Sequence, residues 1–319
     1  MKCLCCGKPI LSTASEPEKT WSWHKRCVVD FFHTKELPLL DITGEQLKTL
    51  ADETVNRGLT VPGVQKKLSL HLSTEGLSRL TIVDYPTGFI LKPQTEEYAF
   101  MPEFEDLAMR LAELCGIQTV PHALIRMNEG YAYITRRIDR EITDEGVSQY
   151  AMEDFCQLSN RLTQDKYKGS YEGCGRIIGK YSVARGFDLS ELFLRVVVSF
   201  VVGNSDMHLK NFSLRETQPG NRQFRLSAAY DMLPVNIIVP QDQEQLALTL
   251  NGKKRNIHKK DMHIFAEMSG IPAKAADRML GKICSLEDKM IEQTKQSYLP
   301  DDQKEQVCVL IAHRIAQLK

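Results

Sequence analysis

The sequence predicts an α+β fold in two lobes, with a mixed β-sheet in the first lobe and mostly α-helices in the second. Short apolar strands such as Leu68 to Leu72, where leucines alternate with polar residues, come before residue 140. Leu189 to Val202 is apolar nearly all round, which is typical of a helix at the centre of a lobe. Lys259 to Lys319 is amphipathic and helical, broken at Gly270-Ile-Pro272 and Leu299-Pro300.

Composition limits the class of protein. The 319 residues, 42% of them hydrophobic, are enough for a large two-lobed core. Forty-one basic and forty-one acidic residues give a formal net charge of zero, so overall charge provides no attraction to nucleic acid or to a membrane surface. The N-terminus does not resemble a signal peptide, and the apolar run around Val196 to Val202 is far shorter than the ~20 residues that span a bilayer. We therefore expect a cytoplasmic protein without a membrane partner.

Residues 1–36 predict a small zinc-binding unit. Cys3 with Cys6, and His24 with Cys27, form two pairs of ligands at the spacing that lets a short turn chelate a metal ion. About 35 residues bury too little apolar surface to fold alone, and a structural zinc site supplies the missing stability. Cys5 is then a spare thiol. The alternative is a frayed N-terminus with incidental cysteines, but the correct spacing of both pairs favours zinc.

Residues 37–140 predict the sheet lobe. A helical stretch from Gly44 to Asn56 leads to a glycine-containing loop, and strands follow at Arg79 to Asp84 and Gly88 to Lys92. The backbone amides and lysines of the loop could cover phosphates, although a turn with two solvated lysines is the more common meaning of such a segment. The loop residues are Val61, Pro62, Gly63, Val64, Gln65, Lys66 and Lys67.

Lys92 ends an apolar strand, and a helix with an acidic first turn begins near Pro102. A phosphotransferase needs such a lysine on the α- and β-phosphates, and it needs a carboxylate to hold that lysine in place. Glu103 and Glu105 are both candidates for the carboxylate. An acidic helix start is also favoured by the helix dipole alone, so the sequence leaves the choice open.

The most informative segment is Asp206-Met-His-Leu-Lys-Asn211, followed about twenty residues later by Asp231 on a strand-like segment. Kinase chemistry needs a carboxylate to orient the attacking hydroxyl, and an amide and a second carboxylate to hold magnesium on the triphosphate. The spacing of Asp206, Asn211 and Asp231 is typical of that chemistry. Asn204-Ser205 replaces the usual His-Arg, and Asp231-Met-Leu replaces Asp-Phe-Gly, which argues against an ordinary eukaryotic-type kinase. The alternative is a polar turn after a buried helix.

Several segments together resemble, in their order along the chain, the HipA-type serine/threonine kinases of bacterial toxin–antitoxin systems. They are Thr60 to Lys67, Phe89 to Lys92, Arg137 to Arg140, Gly203 to Ser213 and Tyr230-Asp231. The resemblance covers about residues 57 to 319 and implies a two-lobed protein-kinase-like fold. With the zinc unit at 1–36, the predicted domains are a kinase N-lobe at 37–140 and a helical C-lobe at 141–319.

The resemblance also implies roles and partners. Asp206 would be the catalytic base, Asn211 and Asp231 the magnesium ligands, and Lys92 the phosphate-binding lysine. The implied ATP-binding residues are Val61, Gly63, Val64, Gln65, Lys67, Lys92, Glu103, His208, Asn211 and Asp231. Known members phosphorylate an aminoacyl-tRNA synthetase and are restrained by a helix-turn-helix antitoxin. The expected partners are therefore a protein substrate and an antitoxin, with DNA contacted only through the antitoxin.

Two departures from the family change the expectations. The cysteine-rich unit stands where a family N-terminal subdomain is expected, so the chain looks closer to HipT-like members, whose missing piece is a separate small protein. Some members autophosphorylate serines just before the glycine of the ATP loop. The matching positions here are Thr60 and Pro62, so only Thr60 could accept a phosphate.

Three functions of different classes are compatible with these residues. The first is an active kinase toxin that uses ATP and magnesium. The second is a catalytically weak pseudokinase or regulatory binding module, and the third is a zinc-dependent nucleic-acid-binding protein on a kinase-derived scaffold. Asp206, Asn211, Asp231 and Lys92 occur together, and a binding module has no chemical need for all four, so the sequence favours the kinase.

Overall fold

The structure is a computed structural model of the chain. It describes residues 1–40, 67–74, 76–81, 86–128, 130–143 and 146–319. They divide into two compact units, the first made of Met1–Asp106 and Val120–Ser148 and the second of Leu107–Thr119 and Gln149–Lys319. The first unit holds a mixed sheet and the second is mostly helical, so the predicted α+β class is confirmed. The predicted limits at residues 36 and 140 stay predictions.

A six-stranded sheet organises the first unit, in the order β1-β3-β2-β4-β6-β5. Its strands are β1 (Leu39–Leu40), β2 (Leu68–Ser73), β3 (Arg79–Thr81), β4 (Phe89–Lys92), β5 (His122–Arg126) and β6 (Tyr131–Arg136). The pair β1–β3 is parallel and the other neighbours are antiparallel. On β2, Leu68 and Leu70 are buried while Ser69 between them is exposed, which confirms the period-two pattern. A separate two-stranded sheet pairs β7 (Arg140–Thr143) with β8 (Gly146–Gln149).

The cysteine-rich segment packs on this sheet. It contains α1 (Glu16–Trp21) and α2 (Lys25–Phe32). The buried Trp23 ring lies 5.6 Å from Phe31 and 5.5 Å from Phe32, and these two rings lie 5.9 and 5.3 Å from Phe89 of β4. The segment also contacts the edge strand β5, where the Leu124 N–H donates to the Leu4 carbonyl at 3.1 Å. The segment is therefore part of the first unit's apolar core.

The second unit is built around α6 (Arg185–Val202), most of which is buried, as the apolar run predicts. The other helices are α3 (Met101–Leu114), which begins in the first unit, α4 (Phe155–Leu158), α5 (Tyr171–Tyr181), α7 (Val235–Ile238), α8 (Lys259–Met268), α9 (Ala273–Ser285), α10 (Glu287–Lys295) and α11 (Asp301–Ala316). The breaks predicted at 270–272 and 299–300 are confirmed. Within the described ranges, no helix combines the length and the apolar character needed to cross a bilayer.

A three-stranded antiparallel sheet in the second unit was not predicted. It consists of β9 (Met152–Asp154), β10 (Ser213–Glu216) and β11 (Phe224–Leu226), in the order β11-β10-β9. Strands of three or four residues carry too few positions to establish an alternating pattern. The predicted helix from Gly44 to Asn56 lies outside the described residues.

Gly203 ends α6 in a conformation that other residues adopt at a cost. Its φ is 76°, and a Cβ atom there would stand 2.5 Å from Leu310 Cδ2 and 3.3 Å from Asn236 Cβ. We expect Gly203→Ala to lower the free energy of unfolding by roughly 2–4 kcal/mol, because both backbone strain and a steric clash are introduced. Urea unfolding followed by circular dichroism measures the change.

Gly281 in α9 is the matched control, because a Cβ atom there would meet no atom within 4 Å. Gly281→Ala should raise stability by roughly 0.5–1 kcal/mol, as expected in a helix interior. Equal stability of the two variants would contradict the role assigned to Gly203.

Candidate active site

The chain turns sharply after α6, and a buried asparagine holds the turn. Asn204 is fully buried, and its side-chain oxygen accepts the Asp206 N–H at 3.2 Å. Its amide nitrogen lies 3.8 Å from the Met207 sulfur. The Tyr171 hydroxyl, on α5, donates to the Met207 carbonyl at 3.1 Å. Short polar side chains stabilise turns through such local hydrogen bonds, so this backbone is fixed before any ligand binds.

Asp206 is held in place but remains within reach of solvent. Its side chain is 29% exposed, and the Tyr167 hydroxyl donates a hydrogen bond to its Oδ1 atom. His208 Nε2 lies 3.9 Å from the same oxygen, and the Tyr167 and His208 rings meet edge to face at 5.0 Å. The Asn211 side-chain amide donates to the Asp206 carbonyl at 2.8 Å. The structure therefore brings Asp206, His208 and Asn211, all three predicted site residues, into one hydrogen-bonded group.

Tyr167 is a residue that the sequence analysis missed. It precedes Asp206 by 39 positions in a segment without regular periodicity, and no motif points to it. Burial, followed by the negative charges of Asp206, Asp242 and Glu244, raises the pKa of the Tyr167 hydroxyl well above its usual range. The hydroxyl is therefore a permanent donor, and it directs one oxygen of Asp206.

Asp231 is tied to the same loop through its neighbour. The Tyr230 hydroxyl donates to the Lys210 carbonyl at 3.1 Å and is hydrogen-bonded to the Ser213 hydroxyl. Asp231 itself has a φ of 54°, a left-handed conformation that aspartate tolerates better than most residues. It follows an extended stretch with an isolated bridge at Ala229, rather than a regular strand. The second unit thus links Tyr230, the residue before Asp231, to both sides of Asn211.

Lys92, in the first unit, forms a buried ion pair. Its side chain is 2% exposed and bonds to Oε1 of Glu105, whose side chain is fully buried. The Lys92 ammonium also lies 5.3 Å from the centre of the Tyr133 ring. Of the two glutamates that the sequence left open, the structure therefore pairs Glu105 with Lys92. Burying both charges is costly in free energy, and such pairs are common at functional sites.

Glu103 has a different environment. It is 8% exposed, and its Oε2 atom accepts no hydrogen bond from the described part of the chain. Burial, with a smaller contribution from the charge of Asp106, raises the pKa of Glu103 to about 7.

The four predicted zinc ligands come together. The donor atoms of Cys3, Cys6, His24 and Cys27 all lie within 4.8 Å of one another. The His24 ring atom Nδ1 is 3.3 Å from the Cys6 sulfur and 3.9 Å from the Cys27 sulfur. The His24 backbone N–H donates to the Cys3 sulfur at 3.3 Å. His24 Nε2 lies 3.2 Å from the Pro9 carbonyl, a contact that fixes which ring nitrogen faces the sulfurs. Three thiols and one imidazole fit a closed, structural zinc site.

The predicted ATP-covering loop is described only at its end. Lys67 is exposed at the start of β2. The predicted site residues that lie outside the described residues are Thr60, Val61, Gly63, Val64 and Gln65. Their roles stay predictions.

A family model described as "HipA-like C-terminal domain" matches residues 59–290, well over half of the chain. The chain therefore belongs to the family of HipA-like C-terminal domains. The matched range contains Lys92, Asp206, Asn211 and Asp231, whereas the cysteine-rich segment lies before it.

Individual relatives agree with this assignment. The chain is 32% identical over 212 residues to "Putative kinase Y4dM" of Sinorhizobium fredii, covering 61% of this chain and 49% of the relative. It is 25% identical over 189 residues to a "Putative kinase" of Haemophilus influenzae, covering 56% of this chain and 54% of the relative. The chain thus spans about half the length of the curated relatives it matches.

Two solved structures are similar in fold. One is a chain of the Shewanella oneidensis toxin–antitoxin complex of HipA, HipB and operator DNA, with a TM-score of 0.67 and 18% identity over 84% of this chain and 70% of that one. The other is the Helicobacter pylori proinflammatory kinase CtkA, with a TM-score of 0.52 and 13% identity over 79% of this chain and 93% of that one. At these identities, both comparisons show the fold alone.

The raised pKa of Glu103 leads to a pH prediction. An acid whose pKa is higher in the folded state than its ordinary 4.5 stabilises the fold below pH 4.5, and that contribution is lost as the pH rises towards about 7. We expect Glu103→Gln to raise the free energy of unfolding at pH 8 by roughly 1–3 kcal/mol relative to the unsubstituted protein, and to have little effect at pH 4.5.

Urea unfolding followed by tryptophan fluorescence measures this, because Trp21 and Trp23 both lie in the first unit. The control is Glu16→Gln, since the Glu16 side chain is 83% exposed. That substitution should change stability by less than about 0.5 kcal/mol at either pH. A gain from Glu103→Gln that is equal at both pH values would disprove the assignment.

Proposed function

We propose that the protein is an ATP-dependent serine/threonine protein kinase. The observation that carries the proposal is the hydrogen bond that joins Asn211 to Asp206, with Tyr230, the neighbour of Asp231, hydrogen-bonded to the same segment at Lys210. Asp206, Asn211 and Asp231 are of the residue types that phosphoryl transfer requires, and the chain belongs to a family whose relatives are named as kinases.

In this proposal Asp206 is the base that accepts the proton of the attacking hydroxyl. The Tyr167 hydroxyl donates to its Oδ1 atom and so orients the carboxylate, while the Asn211 amide group donates to its backbone carbonyl and so fixes the main chain. Preorganisation of this kind lowers the barrier, because little rearrangement is needed in the transition state. Tyr167 is thus a positioning residue.

Asn211 and Asp231 fit a magnesium ion. The Asn211 side-chain nitrogen donates a hydrogen bond to the Asp206 backbone carbonyl. The Asn211 side-chain oxygen therefore points away from that carbonyl. Amide and carboxylate oxygens are hard ligands of the kind that magnesium prefers. When bound, magnesium supplies neutralisation of the charge that develops on the triphosphate. Asn211 and Asp231 would hold the ion, as proposed from the sequence.

Lys92 would contact the α- and β-phosphates of ATP, with Glu105 holding it through their buried ion pair. The further proposed nucleotide-binding residues are Val61, Gly63, Val64, Gln65, Lys67, Glu103 and His208. Thr60 is the proposed autophosphorylation site. A phosphate there would add about −1.5 to −2 charges to a loop that must receive ATP, and so compete with the nucleotide.

The biological context is proposed from the family. The Shewanella relative is a toxin–antitoxin protein in complex with HipB and operator DNA. We propose that this chain likewise acts as a cytoplasmic toxin, restrained by a helix-turn-helix antitoxin through which alone it contacts DNA. Its substrate would be a component of translation, such as an aminoacyl-tRNA synthetase, and a separate small protein similar to a HipA N-terminal subdomain would be a further partner.

Substitution of the carboxylates tests the kinase proposal. Asp206→Asn should reduce phosphate transfer from radiolabelled ATP to proteins of a bacterial lysate by a factor of about 10² to 10⁴, because the base is lost. Asp231→Asn should also reduce the rate and should raise the magnesium concentration needed for half-maximal transfer, because a charged ligand is lost.

Asp277→Asn is the control, because it makes the same chemical change at a surface position. The Asp277 side chain, on α9, is 59% exposed. The substitution should leave transfer unchanged. If the unsubstituted protein binds ATP without transferring phosphate, the protein is a regulatory binding module rather than a kinase.

We also propose that Cys3, Cys6, His24 and Cys27 bind one structural zinc ion. The closed ligand set leaves no position open for catalysis, so the ion would serve folding. Protein purified without chelator should contain one zinc per chain by elemental analysis, and Cys6→Ser should lower this severalfold. Cys5→Ser, at the neighbouring thiol, should retain the zinc. Loss from both variants, or from neither, would contradict the assigned ligands.

A further inference from the structure

A basic cavity lies on the second unit beside the segment that carries Asp206. Its volume is about 460 Å³, and it is lined by one face of α5, by the chain just after α4, and by Leu209. Three of its lining residues are Arg161, Arg176 and Lys180, and none of its lining residues is acidic. We call this feature the basic cavity.

The charges of the basic cavity have no acidic partner among the described residues. Arg161, Arg176 and Lys180 are exposed and form neither a salt bridge nor a side-chain hydrogen bond within the described part of the chain. The Lys180 ammonium lies over the Tyr181 ring, 4.7 Å from its centre. Arg176 lies close to the first turn of α5, where Nη2 would be 3.6 Å from a Cβ atom on Gly173. Three cations that form no salt bridge with the described residues, placed around one concave surface, attract an anionic ligand.

One short segment connects the basic cavity to the proposed base. Tyr167 contacts Asp206 through its hydroxyl, while Gly169 contributes to the cavity wall. The Leu209 N–H donates to the Lys166 carbonyl at 3.1 Å, and the Leu209 side chain would touch a Cβ atom on Gly169 at 3.4 Å. The cavity and the catalytic segment therefore share a wall. An extended peptide advances about 3.3 Å per residue, so residues a few positions from the acceptor can reach the cavity.

We propose that the basic cavity binds acidic side chains of the protein substrate, close in sequence to the serine or threonine that accepts the phosphate. The inference rests on the proposed kinase function and adds the substrate class. Arginine pairs with carboxylates through two parallel hydrogen bonds, which gives both affinity and register. The acceptor hydroxyl would then be presented to Asp206 by a segment anchored at its acidic residues.

The walls favour a peptide over a nucleic acid. Leu158, Ile177 and Leu209 line the cavity, and Tyr181 at its rim is 38% exposed. Arginine, tyrosine and apolar side chains are typical of protein interfaces. Nucleic-acid sites instead need many phosphate contacts, and three cations on a chain of zero formal net charge supply few.

Binding of two labelled peptides tests the inference. Each carries one serine, flanked on both sides by three glutamates in the first peptide and by three glutamines in the second. Fluorescence anisotropy at low salt should show at least about tenfold tighter binding of the glutamate peptide. Arg176→Glu/Lys180→Glu should abolish this preference and bind a matching lysine-flanked peptide better than the unsubstituted protein does.

The control Arg278→Glu/Lys289→Glu makes the same change of charge at exposed positions of α9 and α10, and it should keep the preference. The lysine-flanked peptide is the control for misfolding of the variant, because an unfolded variant would not bind this peptide more tightly than the unsubstituted protein does. Equal binding of the glutamate and glutamine peptides to the unsubstituted protein would overturn the inference. So would binding of a 20-nucleotide single-stranded RNA that is lost in the Arg176→Glu/Lys180→Glu variant while the glutamate peptide does not bind.

Phosphate transfer to the two peptides separates this inference from the proposed function. Transfer that favours the glutamate peptide, through a lower KM, supports both. Equal transfer to both peptides overturns the substrate class and leaves the kinase in place. Absence of transfer to any protein or peptide overturns the kinase, and with it the inference that rests on it.

Discussion

The buried ion pair between Lys92 and Glu105 is the interaction that fixes the position of the lysine in the first unit. It joins the end of β4 to the first turns of α3, and neither side chain has more than slight access to water. Removing one partner of such a pair leaves an uncompensated charge, which costs about 3–5 kcal/mol. Two apolar side chains of similar volume would stabilise the fold at least as well. The presence of an ion pair at this position is therefore better explained by a role of Lys92 in ligand binding than by stabilisation of the fold.

The same strand links the ion pair to the cysteine-rich segment. Phe89 begins β4 and packs against Phe31 and Phe32, while Lys92 ends it three positions later. Because strands in a packed sheet move little independently, the ring cluster and the lysine share one rigid support. In the second unit, hydrogen bonds from polar groups such as Asn204 fix the backbone of the Asp206 turn.

Short spacings were predictable from the sequence, and distant contacts were not. The two members of each zinc ligand pair, and the residues of the Asp206 segment, lie within a few positions of one another, so local geometry alone accounts for their proximity. Glu103 and Glu105 are two positions apart on a helix, which places them on different faces, and only packing decides which one meets Lys92. Tyr167 reaches Asp206 across 39 positions, and a contact of that kind leaves no pattern in one sequence. The strands β9 to β11 could not be predicted, because three or four residues are too few to show an alternating pattern.

The hydrogen bond from Leu124 to the Leu4 carbonyl has a consequence for the behaviour of the protein in solution. β5 is the last strand of its sheet, and an uncovered strand edge presents backbone groups that pair readily with another chain. The cysteine-rich segment covers part of that edge. Displacement of this segment from β5, for example by oxidation of its thiols, would therefore expose those backbone groups, favour intermolecular strand pairing and lead to aggregation.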